Sequence, residues 1–239
     1  MSKLIKMELK RNSLKAYFLA TVISFLVMMG FTYLIASIPR IDGNSTDTEL
    51  FMSYHFIVGF SCVVCMGIFS ITAGVMASKF IVEEYTGKKA ILLLSYPINR
   101  ERILNSKIFL TFFYTTVSML LCEGMTLGIF FLTETFCPLC PDKIDLNVIV
   151  YSCVLLLYSS VMAGFVGIIS LWFGFLRKSV SVTIVSSCIA VSILCQLIAQ
   201  TIAVSAMEYP AITGIFTVIL VIVVLLHRNL CFRVKKMEV

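Results

Sequence analysis

Six apolar stretches dominate the chain, at positions 16–38, 54–76, 108–133, 148–176, 180–205 and 211–227. Crossing about 30 Å of hydrocarbon at 1.5 Å per residue takes roughly 20 apolar residues in a helix, so each stretch is long enough, or nearly so, to span a bilayer. Backbone polar groups in lipid must be satisfied within their own segment, and none of the stretches alternates as a barrel strand does. Helices are therefore expected throughout. Composition agrees, with 59% of the 239 residues hydrophobic and 13% charged, where a soluble domain carries about 25% charge. The mean hydropathy is +1.01. The expected fold class is an all-α integral membrane protein, a single domain over 1–239 with six transmembrane helices.

The cations set its orientation. All 19 Lys and Arg except Arg40 and Lys143 fall before the first stretch, in the second and fourth connections, or after the last stretch. The positive-inside bias then places both termini and the second connection, 77–107, in the cytoplasm. The opposite side is mildly acidic, with Asp42, Asp47, Glu49, Glu134, Asp142, Asp145 and Glu208. The net charge of +6 thus reports topology and suits anionic headgroups rather than a nucleic acid. Residues 1–15 alternate cations with apolar side chains and read either as a short interfacial helix or as an ordinary basic flank of the first span. The apolar run behind them ends in Ile38-Pro39-Arg40, without the small residues of a signal-peptide cleavage site. Asn44-Ser45-Thr46 is an acceptor pattern for N-glycosylation.

Within the spans, polar residues are the informative ones. Glu123 is the one ionisable group well inside an apolar stretch. Its burial costs at least about 2.5 kcal/mol without a partner, a proton or water. Either it faces a translocation path or subunit interface, or it is hydrogen-bonded within the bundle; Thr116 and Thr126 lie at compatible helical spacings. In the fifth stretch Cys188, Ser192, Gln196 and Gln200 recur every four residues and form one polar stripe. Gln196 and Glu123 are at similar distances from the cytoplasmic ends of their stretches, both about 23 Å deep. Glu123, Ser192, Gln196 and Gln200 are the candidate path residues. In the fourth stretch Ser160 with Gly164, Ala163 with Gly167, and Ser170 with Gly174 make ridges of small residues that let helices approach closely.

Cysteine and histidine suggest little chemistry. Cys62 and Cys65 share a helix face but have no third or fourth metal ligand in view, so packing is the expectation. Cys137 and Cys140 could close a small disulfide loop on the outer side. His55 and His227 lie near opposite ends of their spans. The chain has no GxxxxGK[ST] phosphate loop, since Gly87-Lys88-Lys89 lacks both the upstream glycine and the hydroxyl residue, and no GxSxG or HExxH pattern. The expected protein is not an enzyme by itself, and no metal or cofactor is expected on this chain.

The second connection carries the sharpest signal. Glu83-Glu84 is followed by Gly87, the apolar run 90–94, then Ser95-Tyr96-Pro97-Ile98-Asn99-Arg100 and a basic return at Lys107. Five apolar residues in a row are too few to span a bilayer and call for a surface to dock on. Glu83, Glu84, Gly87, Leu92, Leu93, Leu94, Ser95, Pro97, Ile98, Arg100, Ile103 and Lys107 stand where the signature of ABC-2 type permeases has its defining positions. The chain therefore resembles the membrane subunits of type-2 ATP-binding-cassette exporters, departing from them at Lys88-Lys89.

The resemblance implies a coupling helix in this loop that docks on a separate ATPase, with Glu83, Glu84, Gly87, Leu92, Leu93, Leu94, Pro97 and Arg100 as coupling residues. It implies two ATPase subunits carrying ATP and magnesium, and a second permease subunit, identical or different. It further implies residence in a bacterial cell membrane and export of an amphipathic or hydrophobic substrate such as an antimicrobial peptide or drug. The alternative is a membrane sensor or immunity scaffold using the same ATPase.

Overall fold

Each apolar run forms one helix. The structure, a computed structural model, describes residues 15–41, 53–85, 100–136, 145–203 and 208–235. Its helices are α1 (Lys15–Ile41), α2 (Tyr54–Ala77), α3 (Arg100–Phe136), α4 (Leu146–Arg177), α5 (Val180–Ala203) and α6 (Glu208–Lys235). The described residues contain no strand, and all six helices are long and apolar enough to cross a membrane. The expected interfacial helix over 1–15 lies outside the described residues apart from Lys15.

The helices overrun the apolar stretches at several ends. α3, with 37 residues, is about 55 Å long, well beyond the hydrocarbon thickness. Its first turns, which hydropathy assigns to the aqueous connection, are charged and helical at once. α6 likewise continues past His227 to Lys235. After Ala77, α2 passes into a π turn, Ser78–Val82. The connection expected over 77–107 is thus helical at both margins. Its margins are also packed: Phe80, Ile81, Val82 and Tyr85 on one side, and Ile103 and Leu104 on the other, are buried.

Between helices in lipid there is no hydrophobic driving force, so close contact depends on small residues and interhelical polar bonds. α2 and α4 form the centre, each packed on the other and on α3 and α5. α1 leans on α3 and α2, and α6 leans on α4 and α3. The small residues of α4 face three different neighbours. Gly164 accommodates the Phe112 ring of α3, Gly167 abuts Ala73 of α2, and Gly174 abuts Thr183 of α5, while Ser160 is fully buried. The α4 ridges therefore serve contacts within this chain.

The turn from α4 to α5 takes two residues, Lys178 and Ser179. Lys178 takes a left-handed backbone with φ 48°, its N–H bonding back to the Gly174 carbonyl. Ser179 N–H donates to the same oxygen at 3.2 Å. A methyl group on Gly174 would lie 2.9 Å from Thr183 Cβ and closer still to its hydroxyl. Gly174→Ala should destabilise the purified chain by about 1–3 kcal/mol, the usual range for overpacking. Thermal unfolding in detergent measures this. Gly30→Ala, where an added Cβ meets nothing within 4 Å, should be silent.

Candidate functional site

The apolar docking run and most of the signature, including Gly87, Leu92, Leu93, Leu94, Ser95 and Pro97, lie outside the described residues; so do Cys137 and Cys140. Arg100 opens α3, and its side chain is likewise not described. The two stems that carry the loop are described, and they are joined.

The joint begins in the π turn. Glu83 N–H reaches five residues back to the Ser78 carbonyl at 2.9 Å, and the N–H groups of Glu84 and Tyr85 both turn to the Ile81 carbonyl. This diverts the helical donors from the Phe80 carbonyl, which instead accepts from Lys107 Nζ of α3 at 3.0 Å. Lys107 also forms an ion pair with Glu84. The lysine is 1% exposed and the glutamate side chain 14% exposed, so water screens the pair little. Tyr85 rests on Phe175 of α4 at 5.2 Å, and Phe80 on Tyr17 of α1 at 5.4 Å. Glu83 points outward and is exposed. The two adjacent glutamates of the signature thus divide, Glu83 being exposed and Glu84 turned to the closing lysine.

Further into the membrane the same two helices are joined again. Ser61 Oγ of α2 donates to Glu123 Oε1 of α3 at 2.7 Å. Thr32 Oγ1 of α1 is 3.2 Å from the Ser61 hydroxyl and donates to the Met28 carbonyl at 2.8 Å. The thiols of Cys62 and Cys65 flank the Glu123 carboxyl, whose Oε2 has no hydrogen-bond partner. Glu123, Ser61 and Thr32 are all fully buried within the single chain.

A third joint lies at the other end of the pair. Tyr54 Oη of α2 donates to Glu134 Oε2 of α3 at 2.8 Å, with both side chains buried. Phe130 packs against Tyr54 and Tyr33 beside it, and Tyr33 Oη sits 2.6 Å from Thr133 Oγ1. Spans two and three are therefore pinned at three depths, by Glu84 with Lys107, by Ser61 with Glu123, and by Tyr54 with Glu134.

The fifth-span stripe is elsewhere. Ser192, Gln196 and Gln200 are all exposed on α5, and Ser192 donates to the Cys188 carbonyl of its own helix at 2.8 Å. α3 and α5 share no packed face, so Glu123 and Gln196 do not meet within one chain despite their matching depths. Thr126 bonds back to the Cys122 carbonyl, and Thr116 Oγ1 is buried without a partner. Neither bonds Glu123. Among the described residues no group of His, Cys, Asp and Glu could hold a metal, and the described cysteines are free.

Sequence reasoning missed Ser61 as the partner of Glu123 and Thr32 as the neighbour of Ser61, and it read Glu134 as an external acid. Serine and threonine recur throughout these spans, so nothing in one sequence marks these two as special. Lys107 was legible as a signature position but not as a buried one.

The model of the ABC-2 family transporter protein matches residues 4–141. The chain belongs to the ABC-2 transporter family. The match takes in α1, α2 and α3 and every residue of the three joints, and it stops before α4. The ABC-2 chain is also similar to the uncharacterized protein YcbO of Bacillus subtilis (strain 168), with 25% identity over 195 residues covering 80% of this chain and 82% of that protein. No solved structure matches it. As an ABC-2 permease it is a multi-pass cell membrane protein, the membrane transport subunit of an ABC transporter that works with an ATPase subunit and is not itself the catalytic part.

Proposed function

We propose that this permease moves an amphipathic or hydrophobic substrate outward across the membrane, as one of two permease subunits driven by two ATPase subunits that hold ATP and magnesium. Its termini and the loop between α2 and α3 face the cytoplasm, and residues 90–94 dock on the ATPase. The observation that carries this reading is the stripe of Ser192, Gln196 and Gln200 exposed on a helix of membrane-spanning length. Two carboxamides facing lipid would be left without hydrogen-bond partners, at about 1–3 kcal/mol each. A second permease subunit or a water-filled path between the two removes that penalty. The sparse polarity of this face, set among Ile189, Ile193 and Leu197, suits a cargo that is itself partly apolar.

The test is to place a single cysteine at Gln196 in a chain otherwise lacking cysteine and oxidise it in membranes. A disulfide-linked dimer, together with loss of export in Gln196→Leu and intact assembly, is the expected result. A monomer band combined with unchanged export would overturn the placement of the path. Purified alone, the permease should hydrolyse no ATP. Leu93→Asp should abolish co-purification with the ATPase, because a charge replaces an apolar anchor within the docking run.

A further inference from the structure

A cleft of about 540 Å³ opens between α3, α4 and α6, within the roughly 300–1,000 Å³ range of small-molecule sites. Its wall is aromatic and graded in polarity along α3. Asn105 and Ser106 lie at one end, Phe109 and Phe112 further in, with Phe165 and His227 across from them. Phe112 stacks on Phe165 with centroids 5.7 Å apart. The Phe112 ring has room because Gly164 has no side chain; a Cβ there would lie 2.6 Å from it. At the polar end, Cys231 Sγ donates to Asn105 Oδ1 at 3.4 Å and lies 3.8 Å from His227 Nδ1, tying α6 to α3.

Two exposed arginines stand near this mouth. Arg102 precedes Ser106 by four residues and Phe109 by seven, which puts it on the same face of α3, and it is exposed. Arg228, next to His227 on α6, is exposed as well. Glu101 lies near Cys231 as the opposing charge, leaving the rim with an excess of positive charge. Ten residues of helix separate Arg102 from Phe112, about 15 Å, which is the depth of one leaflet's hydrocarbon. Basic pockets between transmembrane helices on the cytoplasmic side favour anionic lipid headgroups.

We propose that this cleft binds one anionic phospholipid from the leaflet that meets Arg102 and Arg228, with its phosphate at Arg102, Asn105 and His227 and one acyl chain along Phe109 and Phe112. The site is separate from the α5 stripe and from the three joints, and it does not depend on what the permease transports.

The test is native mass spectrometry of the purified full chain, delipidated in detergent and offered equal amounts of phosphatidylglycerol and phosphatidylcholine. One phosphatidylglycerol should be retained in preference to phosphatidylcholine by at least roughly five-fold, the discrimination expected of one arginine at a membrane surface. Arg102→Gln combined with Arg228→Gln should bring the two lipids to about equal retention. Arg177→Gln, which removes an exposed cation that does not line the cleft, should leave the preference intact. Ile168→Trp, which fills the cleft, should abolish retention with both arginines in place. If that variant does not fold, Phe109→Ala, altering a residue 56% exposed, should weaken retention without disturbing the core. Equal retention of the two lipids by the unaltered chain, an equal loss of preference in Arg177→Gln, or phosphatidylglycerol retention that is undiminished by filling or trimming the cleft would each overturn the site.

Discussion

Lys107→Met should lower the stability of the chain by about 3 kcal/mol in detergent. Breaking a buried ion pair from one side typically costs 3–5 kcal/mol, because the remaining charge keeps its desolvation penalty and loses its partner. Here the remaining charge is Glu84, whose 14% exposure lets in some water, which argues for the lower end. The same substitution also orphans the Phe80 carbonyl, which the π turn has turned away from its helical donors. The double variant Glu84→Gln with Lys107→Met removes both charges and should recover most of the loss, since replacing both members of a buried pair is often nearly neutral. Thermal unfolding of the four proteins gives the coupling directly. Additive losses would mean that the pair is not a unit.

The second large effect concerns Glu123. Glu123→Ala should cost about 3 kcal/mol, combining a cavity with a Ser61 hydroxyl left without its acceptor. Glu123→Gln keeps an oxygen where Ser61 donates and preserves the volume, so its cost should stay below about 1 kcal/mol. Ser61→Ala should fall between the two. The series separates structure from transport. If Glu123→Gln melts like the unaltered chain yet no longer supports export, the carboxyl group has a part in the transport cycle beyond joining α1, α2 and α3. If export follows stability through all three variants, its role is the joint alone.

The fold was legible because the hydrocarbon solvent is severe. Only helices satisfy their backbone there, so six apolar runs announced six helices, and the ridges of Ser160, Gly164, Gly167 and Gly174 announced a helix with close neighbours. Helix ends were less legible, because hydropathy measures depth and not backbone conformation. Arg100, Arg102 and Lys107 belong chemically to water yet sit on the first turns of α3. The azimuth of each helix was illegible. Helical periodicity places Gln196 in a stripe and gives its depth, but the direction in which the stripe faces depends on neighbours far away in sequence. Glu123 sits at a similar depth and faces α2, whereas Gln196 faces outward. A search for the partner of Glu123 along its own helix could find only Thr116 and Thr126, while its partner Ser61 comes from another span.

The three joints between α2 and α3 also limit how these helices can move. Two rods pinned at one point can pivot against each other, and pinned at two they can still bow apart beyond the pins. Pinned near both ends and in the middle, they can neither slide by a helical turn nor splay without breaking a buried polar contact. The remaining low-energy freedom is to tilt together as a single lever, with the Glu84–Lys107 contact near one tip and the Tyr54–Glu134 contact at the other. A displacement applied at the first tip would therefore arrive at the second as an angle rather than as a shift in register.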